Sequence, residues 1–361
     1  MRKFSWLLAV TVILLCFCKG NKNPVSFGYG RGDFAIYFLA DENLKMKDVY
    51  NKDLSELKLA PRPWLDADDI RFYDWSSHCI YLKKDKYRFI PGYQKGEQSL
   101  FPDEWANRPL VAVADGHKCY PAYFNSLLLS DYHFPAIVDL AYNSAYPADI
   151  LYIQWDWLYK DNPQDHETAK SALSRLGLFH GGISVTFDTT DVNTIRVLNN
   201  SDISTISYKF TLTNNDIDDL YVPDPDKMGS GLFHHFTNGV VFKNIATYKT
   251  YMASQRIVDP LPSPDYWSPD WYTKMPSGAS LQRTVILKGY PHFSEGEYIF
   301  QFRYNGQKRG MEKEVREATD GRYWLGPTRS NILIFNYADG KSNVKTASNF
   351  TKALTLTNQG D

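Results

Sequence analysis

The sequence predicts a mainly β or α+β protein, in which a mixed N-terminal domain is followed by an antiparallel β-sandwich. Three observations predict this fold class. The 361 residues include 25 Tyr, 21 Phe and 9 Trp, and aromatic side chains favour pleated, half-buried strands. Apolar and polar residues alternate over several segments of the second half, which is typical of strands with one buried face. Gly, Pro, Asp and Asn separate these segments, as turns require.

Length and composition indicate two globular domains. Hydrophobic residues make up 43% and charged residues 22% of the chain, as in ordinary globular proteins. We expect a signal peptide at residues 1–18, a tether at 19–25, the mixed domain at 26–180, the sandwich at 181–337 and a disordered tail at 338–361. The net charge is only −1, from 40 basic and 41 acidic residues. Nucleic-acid binding is therefore not expected, because no field of one sign attracts it.

The first 18 residues predict export. Two basic residues, Arg2 and Lys3, precede an apolar run at residues 6–17. A run of about a dozen apolar residues fits a signal peptide and is shorter than the ~20 that span a membrane. Cysteines at positions 16 and 18 end the run, which resembles the lipobox of a bacterial lipoprotein. The resemblance implies a lipid anchor on Cys18, or alternatively on Cys16, that attaches the protein to a membrane of the bacterial cell envelope.

The mixed domain contains one clear hairpin. Strand-like residues 110–114 are followed by Asp115-Gly116 and a second strand-like run at 117–124, which predicts a two-residue type I′ turn. Further strands are expected at residues 34–39 and 80–82.

Two helices are expected in the same domain. One begins after Asn162-Pro163 and ends at Gly177, because glycine commonly ends helices. A second, short helix is expected where Asp66 and Asp69 have the spacing of an acidic capping box.

The C-terminal half shows strand periodicity. Alternation at residues 183–187, 206–212 and 298–304 predicts three half-buried strands, and residues 332–335 predict a last strand buried on both faces. The segments FTLTNND (210–216), PSGASLQRTVIL (276–287) and EGEYIFQFRY (295–304) resemble strands B, E and F of an immunoglobulin-like domain of the bacterial cell-envelope type. The resemblance places Tyr298 at the tyrosine corner of such domains. It implies an architecture and no activity.

Outside the signal segment the cysteines are Cys79 and Cys119. In an oxidising compartment we expect a disulfide between them, closing a loop of about 40 residues and stabilising the fold by roughly 4 kcal/mol. Two buried free thiols are the alternative. A third interpretation is a zinc or copper site formed with His78 and His117, which needs a bulge or turn because adjacent strand residues face opposite sides.

Two further sets of polar residues are candidate metal ligands. Five aspartates between residues 216 and 226 offer oxygen ligands to Ca²⁺, although they lack the order of an EF-hand loop. Local turn formation explains them equally well. His234-His235 is expected on a strand with one buried and one exposed ring, because neighbouring strand residues face opposite sides.

An aromatic loop is the remaining candidate site: Tyr266, Trp267, Trp271 and Tyr272. Exposed, these rings would stack on sugars or anchor a partner protein, and folded inwards they would close one end of the sandwich.

The sequence contains no GxSxG, GxGxxG or P-loop motif. The leading hypothesis is therefore a non-catalytic binding or structural role at the envelope, with protein or glycan as ligand and no cofactor. The alternative is a secreted hydrolase or metal-dependent enzyme, with Zn or Ca, whose site lies in the N-terminal domain.

Overall fold

A computed structural model describes residues 34–49, 52–83, 105, 107–125, 137–139, 147, 149–153, 163–201, 203–237, 240–253, 262–263, 266–306 and 320–345. The expected signal peptide with Cys16 and Cys18, and the chain beyond residue 345, lie outside the described residues. The protein is mainly β, with several antiparallel sheets of which none closes on itself. Four α-helices occur within the described ranges. None of these helices has the length and apolar character needed to cross a membrane.

Two sheets and two helices form the N-terminal half. The strands of the first sheet are β1 (Phe34–Phe38), β2 (Leu65–Asp66), β5 (Pro109–Ala114), β6 (His117–Asn125) and β7 (Ile137–Asp139), in the spatial order β2-β1-β5-β6-β7. Those of the second sheet are β3 (Ile70–Asp74), β4 (Cys79–Leu82), β8 (Ile150–Tyr152) and β9 (Phe179–His180), in the order β8-β4-β3-β9. The helices are α1 (Met46–Val49) and α2 (Glu167–Arg175).

The second sheet is buried on both faces. One face, with Tyr73 and Ile80, packs into a core shared with the first sheet and α2. The other face, with Phe72 and Tyr81, packs against aromatic residues of the C-terminal half. The face with Phe72 and Tyr81 therefore joins the N-terminal half to the C-terminal half through apolar contacts.

The local predictions for this half hold with two corrections. Asp115 and Gly116 have positive φ angles of 51° and 76°, as a type I′ turn requires, so the predicted hairpin is confirmed. The predicted helix is confirmed as α2, although it begins at Glu167 rather than next to Pro163. The short helix expected at Asp66 is wrong. A tight turn joins β2 to β3, and the Asp69 carboxylate accepts the backbone N–H of Asp66 at 3.1 Å.

The C-terminal half contains two sheets that share one core. The first sheet has β12 (Ser204–Asn214) at its centre, β17 (Ser280–Tyr290) along one edge, and β10 (Ile183–Thr186) and β11 (Ile195–Asn199) along the other. The strands of the second sheet are β14 (Val240–Asn244), β15 (Thr250–Tyr251), β18 (Gly296–Tyr304), β21 (Leu333–Ala338) and β22 (Lys341–Val344). Their spatial order is β15-β14-β18-β21-β22. The inner faces of both sheets bury a core rich in Phe and Tyr.

Smaller elements lie where this half meets the N-terminal half. They are β13 (Leu220–Pro223), β16 (Tyr272–Met275), β19 (Arg322–Tyr323), β20 (Thr328–Arg329), α3 (Pro225–Met228) and α4 (Ser230–Thr237). β13 lies between β16 and β19 in a three-stranded sheet, and β20 pairs with β18.

The three alternating segments are confirmed as β10, β12 and β18. The Tyr298 hydroxyl donates to the Ser294 carbonyl at 2.8 Å. β21 alternates buried and half-buried residues, so the expectation of a strand buried on both faces is wrong. The expected disorder does not begin at residue 338, because Asp339-Gly340 turns the chain into β22, which pairs with β21.

His234 and His235 lie on helix α4, not on a strand as expected. The helix packs through Phe233 against Phe210 and Phe302 of the core. Burial of the His234 ring, and secondarily the charge of His235, lower the pKa of His234 to about 4. His234 is therefore neutral in the folded protein at mildly acidic pH.

This pKa predicts an acid sensitivity that a single substitution removes. Between pH 6.5, the ordinary pKa of histidine, and about pH 4, the unfolded chain binds a proton that folded His234 does not. The free energy of unfolding should therefore fall as the pH is lowered through this window, by at most ~3 kcal/mol. We expect His234→Gln to flatten this dependence in urea unfolding, with His292→Gln, a substitution of an exposed histidine, as the matched control. If the free energy of unfolding of His234→Gln depends on pH as steeply as that of the wild-type protein, His234 is not the group responsible.

Candidate functional site

Four buried residues form a charge cluster between the two halves. Arg322 at the start of β19 places Nη2 2.9 Å from Asp74 Oδ2 at the end of β3. The same nitrogen lies 2.6 Å from Asp216 Oδ2, in the loop after β12. His180 on β9 bonds Asp216 Oδ1 through Nδ1 at 2.8 Å. We name Arg322, Asp74, Asp216 and His180 the Arg322 cluster.

Backbone and hydroxyl groups complete the bonding of both carboxylates. Asp74 Oδ1 accepts the hydroxyls of Ser76 and Ser77 at 2.8 and 3.0 Å. Asp216 Oδ2 also accepts the Gly182 N–H at 3.0 Å, and its Oδ1 accepts the Asp218 N–H at 3.0 Å. The two buried charges are therefore paired and hydrogen-bonded, which is the condition under which a protein tolerates them.

Both charges of the central ion pair are held in their ionised forms. Burial alone would raise the pKa of Asp216, but the His180 hydrogen bond and the charge of Arg322 hold it well below its usual value. Burial would likewise lower the pKa of Arg322, but the negative charge of Asp74 is the largest of several effects that raise it above its ordinary value. Asp216 and Arg322 therefore stay ionised throughout the physiological pH range.

His180, Asp216 and Asp218 also have the spacing of a three-ligand metal site, with ligand atoms within 4.8 Å of one another. Their bonding does not fit a metal ion. Each oxygen of Asp216 already accepts two hydrogen bonds, and the Arg322 guanidinium provides the positive charge that an ion would supply. The arrangement is explained as a structural ion pair.

A half-open cleft of about 390 Å³ lies beside the Arg322 cluster, between the two halves. This volume is within the range of roughly 300–1,000 Å³ typical of small-molecule sites. Most of the lining side chains are polar. They are Trp75, Ser76, Ser77, His78, Tyr152, Ile153 and Asp165 from the N-terminal half, and Gly181, Ile183, Ser184, Asn215, Gln301, Arg303, Pro327, Thr328, Arg329 and Ser330 from residues further along the chain.

The turn between β3 and β4 forms the N-terminal wall of the cleft. The bonds from Ser76 and Ser77 to Asp74 fix this turn to the Arg322 cluster. His78 adopts a positive φ of 52°, which is uncommon for residues other than glycine. Its Nδ1 lies 3.0 Å from the Tyr73 hydroxyl, and its Nε2 lies 3.4 Å from Asp165 Oδ1.

The indole of Trp75 is half-buried on this wall. Its ring lies 5.4 Å from the His78 ring and 5.7 Å from the Phe179 ring, measured between centroids. These contacts hold the indole against the domain and leave part of its surface in the cleft.

Two arginines of the C-terminal half also line the cleft. Arg303 on β18 and Arg329 on β20 are register partners, directly across the antiparallel pair. Both are half-buried. Gln301 donates from Nε2 to the Ser330 carbonyl at 3.0 Å, and Arg303 Nη2 lies 3.4 Å from the Tyr152 hydroxyl. Among the described lining residues the one carboxylate is that of Asp165.

Cys79 and Cys119 are buried free thiols in the structure, where the sequence led us to expect a disulfide. Cys79 packs with the aromatic residues that join the halves, whereas Cys119 packs in the core between the N-terminal sheets. The two side chains thus belong to strands of different sheets and to separate apolar clusters. Burial raises the pKa of Cys119 to about 11, which suppresses the thiolate form that attacks substrates or binds metals.

The four candidate zinc or copper ligands do not converge. His78 lines the cleft and bonds Tyr73, whereas His117 is exposed at the turn that precedes Cys119. Within the described ranges, the only group of three or more potential metal ligands is His180, Asp216 and Asp218.

The aspartates considered for Ca²⁺ are bound to basic side chains from other elements. Besides the Asp216 pair with Arg322, Asp219 lies 3.2 Å from Lys274 and Asp224 lies 2.6 Å from Arg283. These pairs, together with the cap that Asp224 provides for α3, explain the acidic loop as structural.

The aromatic loop contributes mainly to packing. Trp271 and Tyr272 are 9% and 3% exposed and lie in the apolar cluster between the halves. Trp267 is half-buried, with its ring 6.2 Å from that of Tyr323. Tyr266 projects furthest, with 53% of its surface exposed.

Comparison of the chain with protein-family models, with curated proteins and with solved structures gives no match. The functional interpretation therefore depends on the geometry of the cleft. The sequence reasoning missed its main residues, Trp75, Arg303 and Arg329. No sequence signal distinguished them, because Arg303 shares the outer face of β18 with Glu297 and Gln301, as polar residues of a half-buried strand normally do.

The bonding of the Arg322 cluster predicts a large loss of stability when the guanidinium is removed. We expect Arg322→Gln to lower the free energy of unfolding by about 3–5 kcal/mol, because two carboxylates stay buried without a cation. Lys274→Gln is the matched control, since Lys274 contacts Asp219 and Asp320 at the surface, where solvent screens ion pairs. Urea unfolding measures both. If Arg322→Gln and Lys274→Gln both lower the free energy of unfolding by the same small amount, the cluster does not hold the halves together.

Proposed function

We propose that the protein is a non-catalytic glycan-binding protein and that the cleft between its halves is the binding site. The observation on which this rests is the combination of a half-buried indole, Trp75, with a lining of hydroxyl, amide and guanidinium groups. A sugar ring has an apolar C–H face and a rim of hydroxyls. An indole packs against the face, and polar side chains exchange hydrogen bonds with the rim.

The shape of the cleft favours a glycan over a protein ligand. Stable protein–protein interfaces bury about 800 Å² on each partner, usually over a broad patch. A concave site of about 390 Å³ instead accepts a small molecule or the end of a polymer. The aromatic residues Trp271 and Tyr272, which would have anchored a protein, are occupied in packing between the halves.

The lining also favours binding over glycoside hydrolysis. That reaction commonly uses two carboxylates about 5–9.5 Å apart, whereas Asp165 is the one carboxylate among the described lining residues. The hydroxyls of Ser76 and Ser77 donate to Asp74 and not to His78, so neither serine has the base that activates a nucleophile.

One observation favours the alternative, a secreted hydrolase. His78 has a strained backbone, lines the cleft, and lies 3.4 Å from the Asp165 carboxylate. A carboxylate that orients a histidine is a common arrangement for a general base. A metal-dependent version of this alternative would take Zn or Ca as its cofactor.

We further infer that the C-terminal half is an immunoglobulin-like sandwich of an exported, lipid-anchored envelope protein. The two sheets with a common aromatic core and the Tyr298 hydrogen bond support the sandwich. The basic start, the apolar run and the cysteines of residues 1–18 support export and acylation. The lipid anchor would hold the protein at the membrane, where envelope glycans are accessible.

The binding proposal predicts that Trp75→Ala weakens glycan binding. We expect at least one saccharide of an array of neutral, amino and acidic oligosaccharides to bind the wild-type chain. Calorimetry should then show about tenfold weaker affinity for Trp75→Ala, because the stacking surface is lost. Tyr266→Ala, which removes an exposed aromatic ring outside the cleft, is the matched control.

Three outcomes would contradict this proposal. They are binding by no saccharide, equal affinity of the wild-type and Trp75→Ala proteins, and loss of affinity in Tyr266→Ala alone. Release of reducing ends by wild-type protein, abolished in His78→Gln, would establish the hydrolase instead.

The anchor proposal predicts that Cys18→Ser releases the protein from the membrane fraction and removes acyl label. Cys16→Ser should behave as wild type, because the cysteine at the end of the apolar run is the acylated one in the resemblance. Loss of label in Cys16→Ser alone would move the anchor to that residue. Retention of label and membrane attachment in both variants would show that no cysteine anchor exists.

A further inference from the structure

We propose that Asp165 determines which sugars the cleft binds, by accepting hydrogen bonds from two neighbouring hydroxyls of a neutral sugar ring, and that His78 positions its carboxylate. This inference rests on the proposed function of the cleft. Asp165 lines the same cleft as Trp75 and His78. Its side chain is 57% exposed, so the carboxylate is accessible to a ligand that enters from solvent.

The backbone that carries Asp165 is held on both sides. The preceding residue, Gln164, is completely buried, and its Nε2 donates to the Ile153 carbonyl at 3.0 Å. Helix α2 begins two residues after Asp165, at Glu167, and packs its buried face into the N-terminal core. Asp165 therefore projects from a fixed segment, which lowers the entropic cost of binding a ligand there.

The imidazole of His78 also fixes the side chain of Asp165. His78 Nδ1 lies 3.0 Å from the Tyr73 hydroxyl, and Nε2 lies 3.4 Å from Asp165 Oδ1. Burial raises the pKa of Tyr73 well above its ordinary value, so this hydroxyl keeps its proton and donates it to Nδ1. In a neutral imidazole the N–H is then on Nε2, where it faces the carboxylate. His78 thus holds one oxygen of Asp165 at a fixed place in the cleft.

A carboxylate in this position is suited to a pair of hydroxyls. Its two oxygens offer about four acceptor positions, so the contact of Oδ1 with His78 leaves acceptor capacity on both. Hydrogen bonds from hydroxyls to an ionised oxygen are shorter, and roughly twice as strong, as those between neutral groups. Neighbouring hydroxyls of a pyranose ring that are gauche to each other lie close enough for one carboxylate to accept both. Sugars in which one of the two is missing or the pair is trans-diaxial are therefore bound more weakly.

Asp165 and Trp75 contact different parts of the same sugar. The rings of Trp75 and His78 lie 5.4 Å apart between centroids, and His78 contacts Asp165, so the indole and the carboxylate are both neighbours of one imidazole. A sugar that packs its C–H face on the indole can present the hydroxyls of its rim to Asp165. Stacking distinguishes poorly among pyranoses, since many have an apolar face. The carboxylate distinguishes them by the arrangement of their hydroxyls.

A hydroxyl pair is favoured over an ammonium group, which is the other common partner of a carboxylate. An ammonium ion is strongly hydrated, and its transfer into a cleft costs more free energy than that of a hydroxyl. Because the Asp165 side chain is more than half exposed, solvent screens the ion pair that would offset this cost. A neutral sugar is therefore preferred over an amino sugar.

The test uses the methyl glycosides of glucose, galactose and mannose, together with the derivatives of each that lack a single ring hydroxyl. At least one of the three glycosides should bind the wild-type chain in NMR titrations. Removal of either hydroxyl of one neighbouring pair should weaken its binding about tenfold, because each removal loses a hydrogen bond to a charged group. In Asp165→Ala the parent glycoside should bind about tenfold more weakly or worse, and the same removals should have no further effect.

His78→Asn tests the positioning role. Asparagine tolerates the positive φ of 52° at this position and can accept the Tyr73 O–H, but it is too short to reach Asp165. We expect the preference for the parent glycoside over its deoxy derivatives to fall from about tenfold to about threefold. A purely structural role of His78 would leave this preference unchanged.

The control variant is Asp270→Ala, which removes an exposed carboxylate that is not among the described residues lining the cleft. It should bind every probe as the wild-type protein does. Asp165→Asn, which keeps the size of the side chain and loses its charge, should fall between Asp165→Ala and wild type. Urea unfolding of each variant establishes that it is folded.

The outcomes separate this inference from the proposed function. If a saccharide of the array binds through Trp75, but removal of a hydroxyl costs as much in Asp165→Ala as in wild type, the inference fails and glycan binding stands. The same holds if none of the three glycosides binds while a saccharide of the array does. Tighter, Asp165-dependent binding of methyl glucosaminide than of methyl glucoside would show that Asp165 selects an ammonium group, and would also overturn the inference. Binding of no saccharide at all would overturn both.

Discussion

The Arg322 guanidinium connects parts of the chain that are distant in sequence. It bonds Asp74, 248 residues earlier, and Asp216, 106 residues earlier, from one nitrogen. The rings of Phe72 and Tyr81 cover the guanidinium at 5.0 and 5.7 Å, so the ion pairs lie in surroundings of low dielectric constant. Such an arrangement adds little net stability compared with apolar packing, but its loss is costly, because the remaining charges stay buried. It therefore favours one mutual arrangement of the two halves over others.

The position of the cleft follows from this constraint. Asp74 bonds Arg322 through one oxygen and the hydroxyls of Ser76 and Ser77 through the other. The turn that presents Trp75 and His78 is thereby fixed to the same guanidinium that joins the halves. Ser76 also accepts the Trp324 indole N–H at 3.1 Å and the Ile183 N–H at 3.0 Å. The residues of the N-terminal wall are thus held by groups from the C-terminal half, and they are positioned before any ligand arrives.

The sequence predicted the features that depend on neighbouring residues. Asp115-Gly116 formed the expected turn because its backbone requirement is local, and the same dipeptide at residues 339–340, not used in the prediction, makes a second hairpin. His234-His235 was assigned to a strand, but an eight-residue helix packs there through Phe233. Long-range pairs such as Arg322 with Asp74 have no local pattern. The same limit applies to Cys79 and Cys119, because sequence spacing does not reveal which face of a sheet each thiol occupies.

The charge balance distinguishes the two groups of arginines. In the Arg322 cluster, two carboxylates surround one guanidinium, and backbone N–H groups and hydroxyls complete their bonding. In the cleft, two guanidinium groups share the described lining with one carboxylate, that of Asp165. A structural ion pair needs no ligand, because its charged groups are already paired and hydrogen-bonded within the fold. The cleft instead places polar side chains beside the half-buried indole of Trp75, and this combination is complementary to a molecule that has an apolar face and a polar rim.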